Sequence, residues 1–153
     1  MLRESGFVMQ GQHPVDLPIE FMISTPGGDA HDMFAIYDSM RLIKQTCPIH
    51  TVAIGKVMSA GVLLLAAGTK GERRIAKNCR AMIHGVTGGH IGAIHNLENE
   101  MDEIRWLQER YIDAIVEETD MTKRLIKKLI GRNVNVYLTA EEAVEYGIAD
   151  EVV

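Results

Sequence analysis

Two side chains in this sequence, Ser59 and His84, have the chemistry for acyl transfer. Ser59 lies between an apolar strand-like run, Thr51-Val52-Ala53-Ile54, and an apolar helix-like run from Val62 to Ala67, and Ala60 and Gly61 follow it directly. A strand-to-helix turn of this kind sets a hydroxyl at a helix N-terminus, beside backbone N–H groups that have no intrahelical partner. Such donors stabilise developing negative charge, which is what a nucleophile facing an oxyanion site requires. Serine is equally favoured as a helix N-cap, and on this stretch alone the cap is the simpler role. His84 ends a short run, Arg80-Ala81-Met82-Ile83, and is followed by Gly85. Imidazole titrates near working pH and can accept a hydroxyl proton. A histidine so placed can also be purely structural, and both roles stand open at this point.

The elements that must position these residues follow from the patterning. Residues 1–17 are weakly patterned, with a turn expected at Gly11-Gln12-His13-Pro14. Pro18 to Ser24 predicts a buried strand, broken by Thr25-Pro26-Gly27-Gly28, where paired glycines permit a tight turn with exposed N–H groups. Asp29 is placed to cap a helix whose apolar positions are Met33, Ile36, Tyr37, Met40 and Ile43. Cys47-Pro48 closes it, and residues 49–54 return as a strand, which implies a parallel crossover. After the Ser59 helix come short strands over 73–76 and 80–84, then an open segment containing Gly88-Gly89 and Gly92. A long helix over about 93–118 follows, apolar at Ile94, Leu97, Met101, Ile104, Leu107, Tyr111 and Ile115. Its other faces are charged, and its length predicts that it projects and packs against another subunit. Thr122 caps a shorter helix ending at Gly131, Thr139-Ala140-Glu141-Glu142 is a capping box, and residues 148–153 finish as a strand.

Composition bounds the rest. A chain of 153 residues, 46% hydrophobic and 24% charged with net charge −5, reads as one soluble globular domain. Nothing resembles a basic nucleic-acid surface; Lys123-Arg124 with Lys127-Lys128 reads as a solvated helix face. No run approaches the ~20 apolar residues needed to span a bilayer. The first six residues carry neither a signal core nor a transit pattern. Cys47 and Cys79 are too few for a disulfide framework, so a cytoplasmic, reducing setting is expected. A zinc site from His84, His90 and His95 is set aside, because no two fall on one helical face and no HExxH is present.

Several blocks in register carry a resemblance: Ile23-Ser24-Thr25-Pro26-Gly27-Gly28, Ala35-Ile36-Tyr37-Asp38, Met58-Ser59-Ala60-Gly61, Arg80 to His84, Gly88-Gly89, and Leu138 to Asp150. From about residue 18 onward the sequence resembles the ClpP family, the proteolytic subunits of Clp proteases, within the ClpP/crotonase superfamily. The resemblance implies an α/β fold: a ClpP/crotonase-like spiral of ββα units with a projecting handle helix. It divides a single domain into a head (1–85 and 132–153) and a handle (about 86–131). Ser59 aligns with the nucleophile and His84 with the general base. Gly28 and Ala60 align with the oxyanion-hole positions, and Gly88 and Gly89 with the strand that pairs extended substrate. The implied activity is serine-type peptide-bond hydrolysis, with no cofactor and with ATP used only by a separate unfoldase. The implied partners are unfolded polypeptide, a Clp ATPase, other ClpP-type subunits, and copies of itself in heptameric rings stacked as a tetradecamer; nucleic acid and membrane are not among them.

Departures from the family pattern matter as much. Its third catalytic member is an Asp, and the aligned position here is Asn135, with Asn133 a less favoured equivalent. Asn can hold His84 in place but cannot stabilise the imidazolium, so weak or conditional activity is expected. An inactive or weakly active subunit that co-assembles with active ones is the alternative. An acyl-CoA enzyme of the crotonase type shares the fold but does not need a Ser–His pair. Only a remnant precedes Pro18, so an axial gate is expected to be missing or altered unless the chain is a fragment. Ala60 stands where Met is frequent, and Gly85-Val86 replaces Gln-Pro, which alters the pocket for the substrate's P1 side chain. Glu20, Arg74 and Ala76 replace an apolar pocket that receives the unfoldase. Docking of a standard Clp ATPase is therefore expected to be weak, and tight nucleotide-dependent capture of one in a pull-down would contradict this.

Overall fold

The structure, a computed structural model, describes residues 7–10, 13–89, 91–132 and 134–153, with 7–10 and 13–16 as backbone. Residues 1–6, the Gly11-Gln12 half of the expected turn, His90 and Asn133 lie outside the described residues. In chain order the elements are β1 (Phe7–Gln10), β2 (His13–Asp16), β3 (Ile19–Thr25), α1 (Ala30–Ile43), β4 (Ile49–Met58) and α2 (Ala60–Ala66). Then follow β5 (Arg73–Ile75), β6 (Arg80–Ile83), α3 (Ile94–Glu118), α4 (Lys123–Ile130), β7 (Val136–Leu138), α5 (Ala140–Glu145) and β8 (Glu151–Val152). The fold is α/β, with a six-stranded sheet in the order β7-β6-β4-β5-β8 and β3 joined to β4.

Strand β4 is the axis of the sheet. Along one edge it pairs in parallel with β3, and along the other it pairs first with β5 (Thr51 to Ala53) and then with β6 (Lys56 to Met58). The handover falls at Gly55, which has φ +69°, a conformation open to glycine at little cost. Here the β3 register slips from Ile23 opposite Ala53 to Thr25 opposite Val57, so β4 carries a bulge that re-aims its second half. The strand expected to stop at Ile54 therefore runs on to Met58 and delivers the chain directly to Ser59.

Helix α2 follows at once and is apolar on every side, which suits a helix surrounded by protein rather than one lying on a surface. Val62, Leu63 and Leu65 are fully buried, each worth roughly 1.5–3 kcal/mol of apolar burial. The helix lies on β4 through Thr51, whose hydroxyl donates to the Leu65 carbonyl at 2.9 Å. At its end a Cβ on Gly68 would meet Thr51 Oγ1 at 2.4 Å, so only glycine allows this approach.

Around this centre α1 buries Met33, Tyr37 and Met40, while Ile36 and Ile43 stay exposed. Helix α3 divides in two: Leu107, Tyr111, Ile112 and Ile115 are buried, whereas Ile94, Leu97 and Met101 face outward. The Thr122 cap and the Thr139–Glu142 capping box form as the sequence predicts. Three readings need correction. Residues 7–10 and 13–16 pair as antiparallel strands, which the sequence does not signal because they are short and lack an alternating apolar pattern. The last strand shortens to Glu151–Val152, since Ile148 and Ala149 are spent on the turn into it. The strand expected to be buried over 18–24 buries only Ile23, with Glu20 and Met22 exposed. The basic face of α4 stays solvated as expected, with Lys123 and Lys127 in surface ion pairs to α3.

One buried charge joins the far ends of the elements. Arg73 is 3% exposed; its guanidinium donates to the carbonyls of Ala66 and Glu118, and to the Asp150 carboxylate at 2.9 Å through Nε. Burial pushes the Asp150 carboxyl up, but hydrogen bonds and charge from Arg73 outweigh it and hold the group below its ordinary value. Replacing Arg73 by Ala strands the Ala66 carbonyl and takes the cation from Asp150, which keeps the Gly71 and residue-73 amides, while Glu118 keeps Lys70, at an expected cost of about 1–3 kcal/mol. The depressed Asp150 contributes stability fully above the usual carboxylate range, and loses it as pH falls through the lowered folded value. Urea midpoints measured on the acid side of pH 5 should therefore fall less steeply in Arg73→Ala than in wild type.

Candidate active site

Ser59 is the only non-glycine at positive φ among the described residues, with φ 53° and ψ −118°. Such a backbone costs of order 1–3 kcal/mol and persists only where its surroundings enforce it. The Ser59 N–H donates to the Met82 carbonyl of β6 at 2.8 Å. Its carbonyl accepts from the Val62 N–H at 3.0 Å and from the Tyr111 hydroxyl at 3.3 Å. A Cβ on Gly27, itself at φ +104°, would sit 2.7 Å from Ser59 Cβ, and one on Gly61 would sit 2.5 Å from Thr25 Cγ2. The β3 turn and the first turn of α2 thus close on Ser59 because both offer bare backbone.

The serine hydroxyl makes no capping hydrogen bond to α2. It lies 2.8 Å from His84 Nε2 instead. His84 is the first residue beyond β6, the strand whose Met82 carbonyl holds the Ser59 amide, so one strand anchors the serine and presents its partner. The sequence left a cap and a nucleophile both open; the structure aims the hydroxyl at imidazole and away from the helix.

Asn135 stands immediately before β7. The antiparallel β6–β7 register pairs Ala81 with Leu138, Met82 with Tyr137 and Ile83 with Val136. One further step in that register sets Asn135 opposite His84. Asn135 is exposed, and among the described residues no hydrogen bond joins it to His84 Nδ1.

The Ser59–His84 pair opens into a cleft of about 750 Å³, lined on one side by Gly28 and Ala60 and on the other by Gly88 and Gly89. Among the described residues, the N–H groups of Gly28 and Ala60 donate to no protein acceptor. Space is open where a Cβ on Gly28 or Gly89 would be, whereas a Cβ on Gly88 would collide with Ile104 of α3 at 2.3 Å. Gly88 is therefore what lets this segment run against α3, whose Leu97, Met101, Ile104 and Leu107 form the apolar wall. At the rim His31 Nε2 lies 3.2 Å from Glu103 Oε1, linking the start of α1 to α3. The close approach of Gly27 to Ser59, the Tyr111 hydrogen bond and the His31–Glu103 contact are not legible in the sequence. The Gly-Gly pair was a signal for Gly27, but Tyr111 looked like any apolar heptad-like position and the rim contact spans 72 residues.

On the sheet surface, Glu20 and Arg74 do not stand alone. Glu20 accepts from His50 Nδ1 at 2.9 Å and from Arg74 at 3.4 Å, giving the expected charges partners of their own. Among the described residues there is no cluster of three or more His, Cys, Asp or Glu side chains able to hold a metal ion, and no helix is long and apolar enough to cross a membrane.

The sequence pattern of the Clp protease family matches residues 7–153. This chain belongs to the Clp protease family. It is 39% identical over 135 residues to the ATP-dependent Clp protease proteolytic subunit 1 of Prochlorococcus marinus (strain MIT 9312), covering 88% of this chain and 67% of that one. It is 34% identical over 146 residues to the ATP-dependent Clp protease proteolytic subunit of Deinococcus radiodurans, covering 95% and 69%. Subunit 2 of Corynebacterium jeikeium is 36% identical over 146 residues, covering 95% and 68%. The chain thus spans about two-thirds of the length of these Clp protease relatives. The match covers every element that builds the cleft, and membership of a peptidase family accords with a serine and histidine in hydrogen-bond contact.

The Ser59 turn makes a direct prediction. Gly27→Ala forces a side chain against Ser59 Cβ at a backbone angle that alanine resists. It should cost about 1–3 kcal/mol in a denaturant melt and lower the rate at which a fluorophosphonate labels the protein by about tenfold or more.

Proposed function

We propose that this Clp protease family member is a serine endopeptidase subunit that cleaves extended polypeptide at Ser59. The observation that carries the proposal is the 2.8 Å contact between Ser59 Oγ and His84 Nε2 beneath two free backbone donors. In this reading His84 takes the hydroxyl proton as Oγ attacks the scissile carbonyl carbon. The N–H groups of Gly28 and Ala60 hold the oxyanion of the tetrahedral intermediate. As the C–N bond breaks, His84 returns the proton to the leaving amine and an ester remains on Ser59. Water, deprotonated by His84, then attacks that ester; the acid is released and Ser59 recovers its proton.

The unpaired backbone at Gly88-Gly89 suits substrate held as an added strand, where main-chain hydrogen bonds give affinity without sequence preference. The chemistry draws on side-chain and backbone groups of this chain, and ATP enters only through a separate unfoldase. Copies of the chain associate as rings, with the outward Ile94 of α3 burying against a second ring.

Asn135 is the proposed orienting residue for His84, supported by its place in the β6–β7 register. It differs from an Asp in offering no negative charge to an imidazolium, a difference that costs about ten-thousand-fold in chymotrypsin-like proteases. Among the described residues His84 Nδ1 has no hydrogen-bond partner, which favours a second reading, in which the chain is a weakly active or inactive partner of active subunits. A fluorophosphonate probe separates the two: labelling that vanishes in Ser59→Ala supports an activated serine, and absence of labelling in wild type supports the second reading. Asn135→Asp should raise kcat/KM on a small peptide at least tenfold, within the ceiling set by that difference. An unchanged value would remove Asn135 from the site.

A further inference from the structure

Among the described residues, Tyr111 is the one cleft residue whose polar atom touches the backbone of Ser59 from outside the turn's own strands and helix. It sits on the buried half of α3 and is 3% exposed. A buried tyrosine hydroxyl normally requires a partner, and among the described residues its partner is the Ser59 carbonyl at 3.3 Å. That carbonyl belongs to the strained residue, and the peptide it terminates leads directly to the Ala60 N–H. Fixing this oxygen therefore fixes both the direction of the Ser59 side chain and the adjacent oxyanion donor. The amide side is held by β6 through Met82, and the carbonyl side by α2 through Val62. Tyr111 adds α3 as the third element. Helix periodicity places an apolar residue at this point, and a leucine or methionine would fill the space without supplying the donor.

We infer that Tyr111 is a positioning residue for the nucleophile, its hydroxyl holding the Ser59 peptide in the orientation that aims Oγ at His84 and the Ala60 N–H into the cleft. The inference rests on Ser59 being the attacking group. Burial pushes the phenol's titration up, away from neutrality, so the donor is present throughout the pH range of imidazole catalysis. The hydrogen bond is long for an O–H donor, which places the expected effect at the modest end.

The test is the rate of fluorophosphonate labelling, resolved into probe affinity and inactivation rate constant, in wild type, Tyr111→Phe, Tyr111→Met and Ser59→Ala. Tyr111→Phe keeps the ring and removes only the hydroxyl. Its inactivation rate constant should fall roughly three- to tenfold, with probe affinity unchanged and the urea midpoint close to wild type. Tyr111→Met should be no faster than Tyr111→Phe. The inference is overturned if Tyr111→Phe labels as fast as wild type, whether or not Tyr111→Met is slow, because the ring alone would then account for the residue. It is also overturned if affinity and rate constant fall together in proportion to lost stability, the mark of general packing damage. If wild type itself fails to label, the nucleophile assignment falls and this inference with it, a result distinct from equal labelling of wild type and Tyr111→Phe.

Discussion

Ser59 holds φ 53° because its peptide is gripped at both ends and its flanks are stripped of side chains. β6 takes the amide, α2 and α3 take the carbonyl, and Gly27 and Gly61 leave room for the turn at van der Waals distance or less. A residue in a right-handed helical or extended backbone here would swing the hydroxyl away from His84. The local cost of the turn is of order 1–3 kcal/mol and is offset by the burial of α2, whose whole surface lies within the core. The most apolar segment of the chain directly follows its most strained residue, and that adjacency makes the strain sustainable.

The sheet serves the same end. β4 changes neighbours half-way along, from β5 to β6, and Gly55 with its bulge redirects the second half. Without that change β6 would not lie beside Met58, and the carbonyl of Met82 would not meet the Ser59 amide. His84 then follows by one residue. The bulge, the handover and the Ser–His contact are thus steps of one geometric sequence. Arg73 closes the opposite end, where the last carbonyls of α2 and α3 and the carboxylate of Asp150 converge on one buried guanidinium. Such a buried cation is weak evidence for net stability; what it adds is an arrangement in which three elements share one guanidinium.

Family membership and site geometry speak to different questions. The match to Clp proteases spans the whole cleft, and the contact between Ser59 and His84 gives that kinship a chemical form. The departures lie further out, at Asn135 next to β7 and on the sheet surface, where Glu20 contacts both His50 and Arg74. Both lie outside the Ser59–His84 contact itself, which is formed in this structure.

Most of the fold was legible in the sequence: the helices over 30–43, 94–118 and 123–130 declare themselves by 3.6-residue spacing and caps, and the paired glycines mark the β3 turn. Short strands without alternation, such as β1 and β2, left no such trace. Of the site, the sequence by itself determined the residue types and their order: a serine before an apolar helix, a histidine at a strand end, glycines between. It could not separate a cap from a nucleophile, because both want a hydroxyl at a helix mouth. Tertiary structure decided where the hydroxyl points, through a contact between residues 25 apart that depends on the β4–β6 register. It likewise turned Tyr111 from a core position into a donor and brought Val136, the residue after Asn135, opposite Ile83, the residue before His84. These are distances across elements, and periodicity along one element carries no information about what lies on the next.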